Sequence, residues 1–145
     1  MAERTEGSIT IAAGPAAIMA VINDYASYPE WAGVKTAEVI SEYEDGTPAE
    51  VRLSVSQMGI EATYTLAYEY YEDDGGVSWT TVEASGAVKD IQGEYALDPA
   101  GSDTEVTYRL ALEMGVSLPG FLRRRAEKQV VSTALGGLKK RVEAG

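Results

Sequence analysis

Residues 119–143, PGFLRRRAEKQVVSTALGGLKKRVE, decide the architecture. Val131, Ala134, Leu135, Leu138 and Val142 recur at three- and four-residue steps, so they share one face of a 3.6-residue helix. That face needs an apolar cover from the rest of the chain. Ser117 stands where it caps the first amides, and Pro119 where a proline forfeits no helical hydrogen bond. Followed toward the N-terminus, the apolar line of Leu138, Ala134 and Val131 arrives at Glu127, where the spacing calls for an apolar residue. Gly136-Gly137 is a second local conflict, since each glycine costs about 1 kcal/mol relative to alanine inside a helix. The pair implies either a bend or a close approach to the sheet.

Charge divides at the same place. Seven of the 12 Lys and Arg residues lie in this segment (Arg123, Arg124, Arg125, Lys128, Lys139, Lys140, Arg141), against only Glu127 and Glu143 of the 23 acidic ones. A cationic helix thus closes an acidic body. The opposite fields orient the docking, while apolar burial supplies most of the energy, because exposed charges are screened beyond ~8–10 Å.

The preceding chain is read mainly as strands. Residues 4–12 alternate, with Ile9 and Ile11 on one side, and Gly14-Pro15 ends the run. Ala16 to Asn23 reads as a short helix apolar on most sides, and Asp24 to Trp31 as a second helical turn interrupted by Pro29. Six strands follow, at about Val34–Glu44, Ala49–Gln57, Glu61–Tyr71, Val77–Ala84, Val88–Leu97 and Glu105–Met114. Their separators, such as Asp45-Gly46-Thr47-Pro48 and Pro99-Ala100-Gly101-Ser102, are short and turn-like, which makes neighbours antiparallel. Alternation (Val51, Leu53, Val55; Tyr64, Leu66, Tyr68, Tyr70; Ile91, Gly93, Tyr95, Leu97; Val106, Tyr108, Leu110, Leu112, Met114) gives the sheet one apolar, aromatic face. Glu94 and Glu113 fall on the polar side and are expected to be exposed. A seven-stranded sheet with one such face requires a cover, and the closing helix is the only long amphipathic element available. Strands of this length twist, so the sheet curls around the helix and leaves a cavity lined by aromatics.

Composition bounds the chemistry. A chain of 145 residues, 45% hydrophobic and 24% charged, is expected to form one domain over residues 1–145 with its own core. With neither cysteine nor histidine, thiol chemistry, zinc sites and Ser-His-Asp triads are excluded by inventory, and nothing points to a metal or cofactor. A net charge of −11 argues against nucleic acid and against stable insertion into anionic membranes. The N-terminus has no apolar core and no run approaches a membrane span, so the expected location is cytoplasmic.

Three stretches carry a resemblance: GPAAIMAVINDYASYPEW after the first strand, GEYALDPAGSDTEVTYRLAL across the last hairpin, and AEKQVVSTALGGLKKRVE in the closing helix. Together the chain resembles the helix-grip superfamily of START lipid-transfer domains, birch-pollen-allergen-like proteins, and bacterial polyketide cyclase/dehydrase and lipid-transport proteins. It looks most like the short single-domain actinobacterial members. The resemblance implies an α+β helix-grip fold: a seven-stranded curved antiparallel sheet wrapped around a long C-terminal helix, with two short helices between strands 1 and 2. It also implies a hydrophobic ligand, lipid or polyketide-like, held between sheet and helix. These motifs mark structural elements, so they transfer no catalytic residue.

Trp31, Tyr64, Tyr68, Trp79, Tyr95 and Tyr108, with Leu53, Ile91, Leu112, Leu122 and Glu127, are the residues expected to line the cavity. For the aromatics the alternative is plain core packing. Glu127 is the sole catalytic candidate, as acid, base or ligand partner; the competing reading has the helix roll and Glu127 pair with Arg123, Arg124 or Arg109. Arg123-Arg124-Arg125 with Lys128 reads as a solvated helix face, or as an attractor for an anionic ligand at the cavity mouth near Leu118. Three functions follow in order: a carrier of a hydrophobic small molecule, an aromatase or cyclase acting on a poly-β-keto chain, and a protein-interaction module.

Overall fold

A computed structural model describes residues 5–57, 60–115 and 119–144. The elements, in order, are β1 (Thr5–Ile11), α1 (Pro15–Ile22), a 3-10 turn (Tyr25–Ser27), α2 (Tyr28–Trp31), β2 (Thr36–Glu42), β3 (Pro48–Gln57), β4 (Ile60–Tyr70), a 3-10 turn (Glu72–Asp74), β5 (Gly76–Gly86), β6 (Val88–Ala100), β7 (Asp103–Met114) and α3 (Gly120–Ala144). Ser117 and Leu118, given a cap and a cavity mouth above, lie outside the described residues. Pro29 does not interrupt α2 but occupies its first turn, where its fixed φ suits the helix.

All strands pair antiparallel in one curved sheet, ordered β1-β7-β6-β5-β4-β3-β2. Consecutive strands from β2 to β7 are neighbours because their connections are short. β1 returns beside β7, with Thr5 opposite Leu110 and Ile11 opposite Thr104. α3 then packs on β1, β7, α1 and α2, so it covers one end of the sheet's inner face while the short helices extend the cover. The periodicity is reproduced in the burial: Val131, Ala134, Leu135 and Leu138 face inward, against Val106, Tyr108, Leu110 and Leu112 among the inward residues of β7. Each such aliphatic side chain contributes about 1.5–3 kcal/mol when fully buried.

Close approach of α3 requires small residues beneath it. A Cβ at Gly7 of β1 would lie 2.7 Å from Val131 Cγ1, and one at Gly137 would collide with the Trp31 carbonyl oxygen. Of the glycine pair, Gly137 therefore serves an approach to α2, not to the sheet, while Gly136 faces open space. At its far end α3 is tied by Lys139 Nζ to the Thr10 carbonyl (2.7 Å), by Glu143, which accepts from the Ala12 amide (2.9 Å), and by Arg141 to Glu30 (2.9 Å). These groups are exposed or half-buried, so they add orientation more than stability.

The sheet is not continuous along its whole height. β5 pairs with β6 only from Gly76 to Trp79, and β5 bulges at Val82 against β4. Beyond Trp79 the Thr81 hydroxyl bridges the gap, donating to the Ile91 carbonyl (2.9 Å) and accepting from the Ile91 amide (2.8 Å). One side chain thus does the work of a backbone residue. Thr81→Val, close in shape, is expected to cost ~1–3 kcal/mol by leaving both Ile91 groups unpaired, seen as a lower denaturant midpoint at unchanged m-value.

Candidate functional site

Ten of the eleven expected site residues are brought into one buried interior: Trp31, Leu53, Tyr64, Tyr68, Trp79, Ile91, Tyr95, Tyr108, Leu112 and Glu127. Leu122, in the first turn of α3, is half-buried. The rings form an unbroken run. Trp31 meets Tyr28 (4.8 Å between centroids), Tyr28 meets Tyr25 (4.8 Å), and Tyr25 meets Tyr68 (4.8 Å). Tyr68 then reaches Trp79 (6.0 Å), which contacts Tyr95 (5.5 Å) and Tyr108 (5.4 Å). Tyr25 and Tyr28 join this run of rings from the helical turn Asp24 to Trp31, without being among the expected lining residues. Their signal was the aromatic density of YASYPEW.

The polar tips of these rings are the anomaly. Tyr25 and Tyr28 are served: Tyr25 bonds the Tyr70 hydroxyl (3.1 Å), and Tyr28 donates to the Ile22 carbonyl (2.6 Å). Among the described residues, the hydroxyls of Tyr64, Tyr68, Tyr95 and Tyr108 have no hydrogen-bond partner. The indole Nε1 atoms of Trp31 and Trp79 are buried and likewise unpartnered. Leaving a buried donor such as either indole N–H unmade costs ~1–3 kcal/mol, whereas the four phenol oxygens keep some accessible surface. The chain has nine tyrosines and a single phenylalanine, Phe121, and that one is 69% exposed.

Burial pushes the Tyr64 phenol up to about 12. It raises Tyr28, Tyr68 and Tyr108 well above the ordinary 10.0, and Tyr95 too, with neighbouring phenols adding to the effect. Those neighbours come from α2, β4, β6 and β7, so the phenol oxygens converge. A phenol whose folded pKa is raised contributes stability that is present below pH 10 and is lost as pH climbs through the folded value. Stability is therefore expected to hold up to about pH 9–10 and fall steeply above it. In an absorbance titration, phenolate from these rings should appear together with loss of circular dichroism.

Glu127 is 1% exposed, yet it pairs with none of the proposed arginines among the described residues. Its Oε1 accepts from the Thr5 hydroxyl (2.7 Å) and its Oε2 from the Leu112 amide (2.9 Å). In the ladder of β1 and β7, Thr5 stands opposite Leu110, two residues before Leu112. The carboxylate gives the Leu112 amide its acceptor and pins α3 to β1 and β7. Glu94, expected to be exposed, is only 19% so, held by Arg109 (3.6 Å) and by the Tyr71 hydroxyl (3.0 Å), whereas Glu113 is exposed and pairs with Lys89.

No group of His, Cys, Asp or Glu suited to a metal occurs among the described residues, and no described helix is long and apolar enough to cross a membrane. An open groove of about 580 Å³ lies apart from the interior, on the outer face of α3, lined by Phe121, Arg124, Arg125, Lys128, Gln129 and Ser132.

The fold has close counterparts among solved structures. A START superfamily protein from Mycobacterium smegmatis aligns with a TM-score of 0.88 at 20% identity, covering 97% of both chains. The Zhui aromatase/cyclase from a Streptomyces strain aligns at 0.79 and 17% identity, over 99% of this chain and 94% of its own. A STAR-related lipid transfer protein from Xanthomonas axonopodis aligns at 0.73 and 18% identity, over 97% and 85%. At such identities the likeness establishes the helix-grip fold alone. No curated protein matches the sequence. The model of one family, described as polyketide cyclase/dehydrase and lipid transport, matches residues 2–143, and the chain belongs to that family.

Proposed function

We propose that this protein binds a hydrophobic small molecule, lipid or polyketide-like, in the aromatic interior between the sheet and α3. The observation that carries this reading is the pair of buried, unpartnered indole N–H groups of Trp31 and Trp79 at two places in one continuous run of aromatic rings. A ligand that parts the rings and meets those groups recovers the hydrogen bonds the free protein lacks. Relatives of the same fold bear names of lipid transfer and of aromatase/cyclase, which supports a small-molecule site.

The turnover alternative gains from phenols that stay protonated at neutral pH and so can donate to a developing enolate oxygen. It loses its base, because both oxygens of Glu127 are engaged in holding the fold. Binding is therefore preferred. Titration with a neutral solvatochromic dye such as Nile red should give a saturable one-to-one signal, with energy transfer from Trp31 and Trp79. Non-saturable fluorescence without energy transfer would contradict it.

A further inference from the structure

The interior is selective in what it leaves open. A phenol hydroxyl either donates or accepts, but an indole N–H only donates. Trp79 is 5% exposed, on β5 opposite Gly93, with its ring over that glycine: a Cβ there would lie 2.7 Å from Trp79 Cζ2. Its ring touches those of Tyr68, Tyr95 and Tyr108, and its N–H has no acceptor. Trp31, 9% exposed at the far end of the run of rings, is in the same condition. A complementary guest must therefore bring acceptors.

Charge narrows the class further. Glu127 is the one buried charged residue among those described, and both its oxygens are occupied. A carboxylate or phosphate buried among the rings would lack a counter-charge, at a cost of several kcal/mol per ion. The nearest approach to one is Arg123, a half-buried side chain on the first turns of α3 whose buried Nε has no partner among the described residues. Among the described residues no cation–π contact joins that cation to the ring run, and the carboxylate probe below tests it as the alternative anchor.

The geometry points to an uncharged ligand bearing carbonyl or ether oxygens, with the Trp79 indole N–H as its principal hydrogen-bond donor and that of Trp31 as a second. The inference rests on the interior-site reading and deepens it. It makes Trp79 a specificity-determining residue: the ring supplies contact to any apolar guest, and the N–H separates oxygenated guests from hydrocarbons.

Three probes of nearly one skeleton test it: 9,10-anthraquinone, anthracene and anthraquinone-2-carboxylate. The chain has two tryptophans, so a nitrogen–proton correlation spectrum shows two indole crosspeaks, assigned with Trp31→Phe and Trp79→Phe. The quinone should bind about 10-fold more tightly than either other probe and move the Trp79 indole proton downfield. Trp79→Phe should erase the quinone's advantage over anthracene, since the smaller ring costs both probes contact but only the quinone its hydrogen bond. Should the variant fail to fold, the wild-type crosspeaks still report the hydrogen bond. Equal affinity for quinone and hydrocarbon, or tightest binding of the carboxylate with loss on Arg123→Gln, overturns the inference while the interior site stands. If no probe binds or moves either crosspeak, the site itself falls with it.

Discussion

Glu127→Ala is expected to cost about 3–5 kcal/mol of stability and to lower the melting temperature by roughly 10 °C or more. The side chain is fully buried, and its two oxygens satisfy the Leu112 amide and the Thr5 hydroxyl. Truncation leaves a buried amide unpaired, a void under α3, and no bond between that helix and the end of β7. Glu127→Gln should recover most of the loss, because the amide oxygen still accepts from Leu112 and the amide nitrogen can donate to Thr5 Oγ1. Calorimetry of the two variants checks the claim. If alanine were tolerated within 1 kcal/mol, Glu127 would not be the clamp described here.

The second large effect concerns two adjacent glycines with opposite signs. At Gly136 a Cβ meets open space, so Gly136→Ala should stabilise by about 1 kcal/mol through helix propensity. At Gly137 the same methyl strikes the backbone carbonyl of Trp31, which has no soft rotamer to yield. Gly137→Ala should cost about 1–3 kcal/mol net, prise α2 from α3 and weaken ligand binding through displacement of Trp31. Chemical denaturation of both variants in parallel decides it, and the same sign at the two positions would refute the packing account.

These residues also show how far the sequence could be read. The helical stripe from Val131 to Val142 and the alternation of β3, β4, β6 and β7 are local patterns, and the fold that buries them was legible. Glu127 was visible as a break in the stripe. Its role was not, because that depends on which groups of β1 and β7 meet α3, a fact of register between segments more than a hundred residues apart. Gly137 was visible as a cost, but its beneficiary lies on α2. The aromatic residues could be assigned to one face by alternation, whereas the missing partners of the Trp31 and Trp79 indoles emerge only when α2 packs against the sheet. Tyr25 and Tyr28 escaped because a short helical turn carries too few residues to display a period.

The most direct measurement is native mass spectrometry of the protein purified from its own host, paired with a denatured spectrum of the same sample. An aromatic interior with two unpaired indole N–H groups predicts a discrete extra mass that disappears on denaturation, belonging to an uncharged, oxygen-bearing hydrophobic compound. A protein that carries no such mass, and takes up none when offered its host's lipid extract, would contradict the assignment of that interior as a binding site.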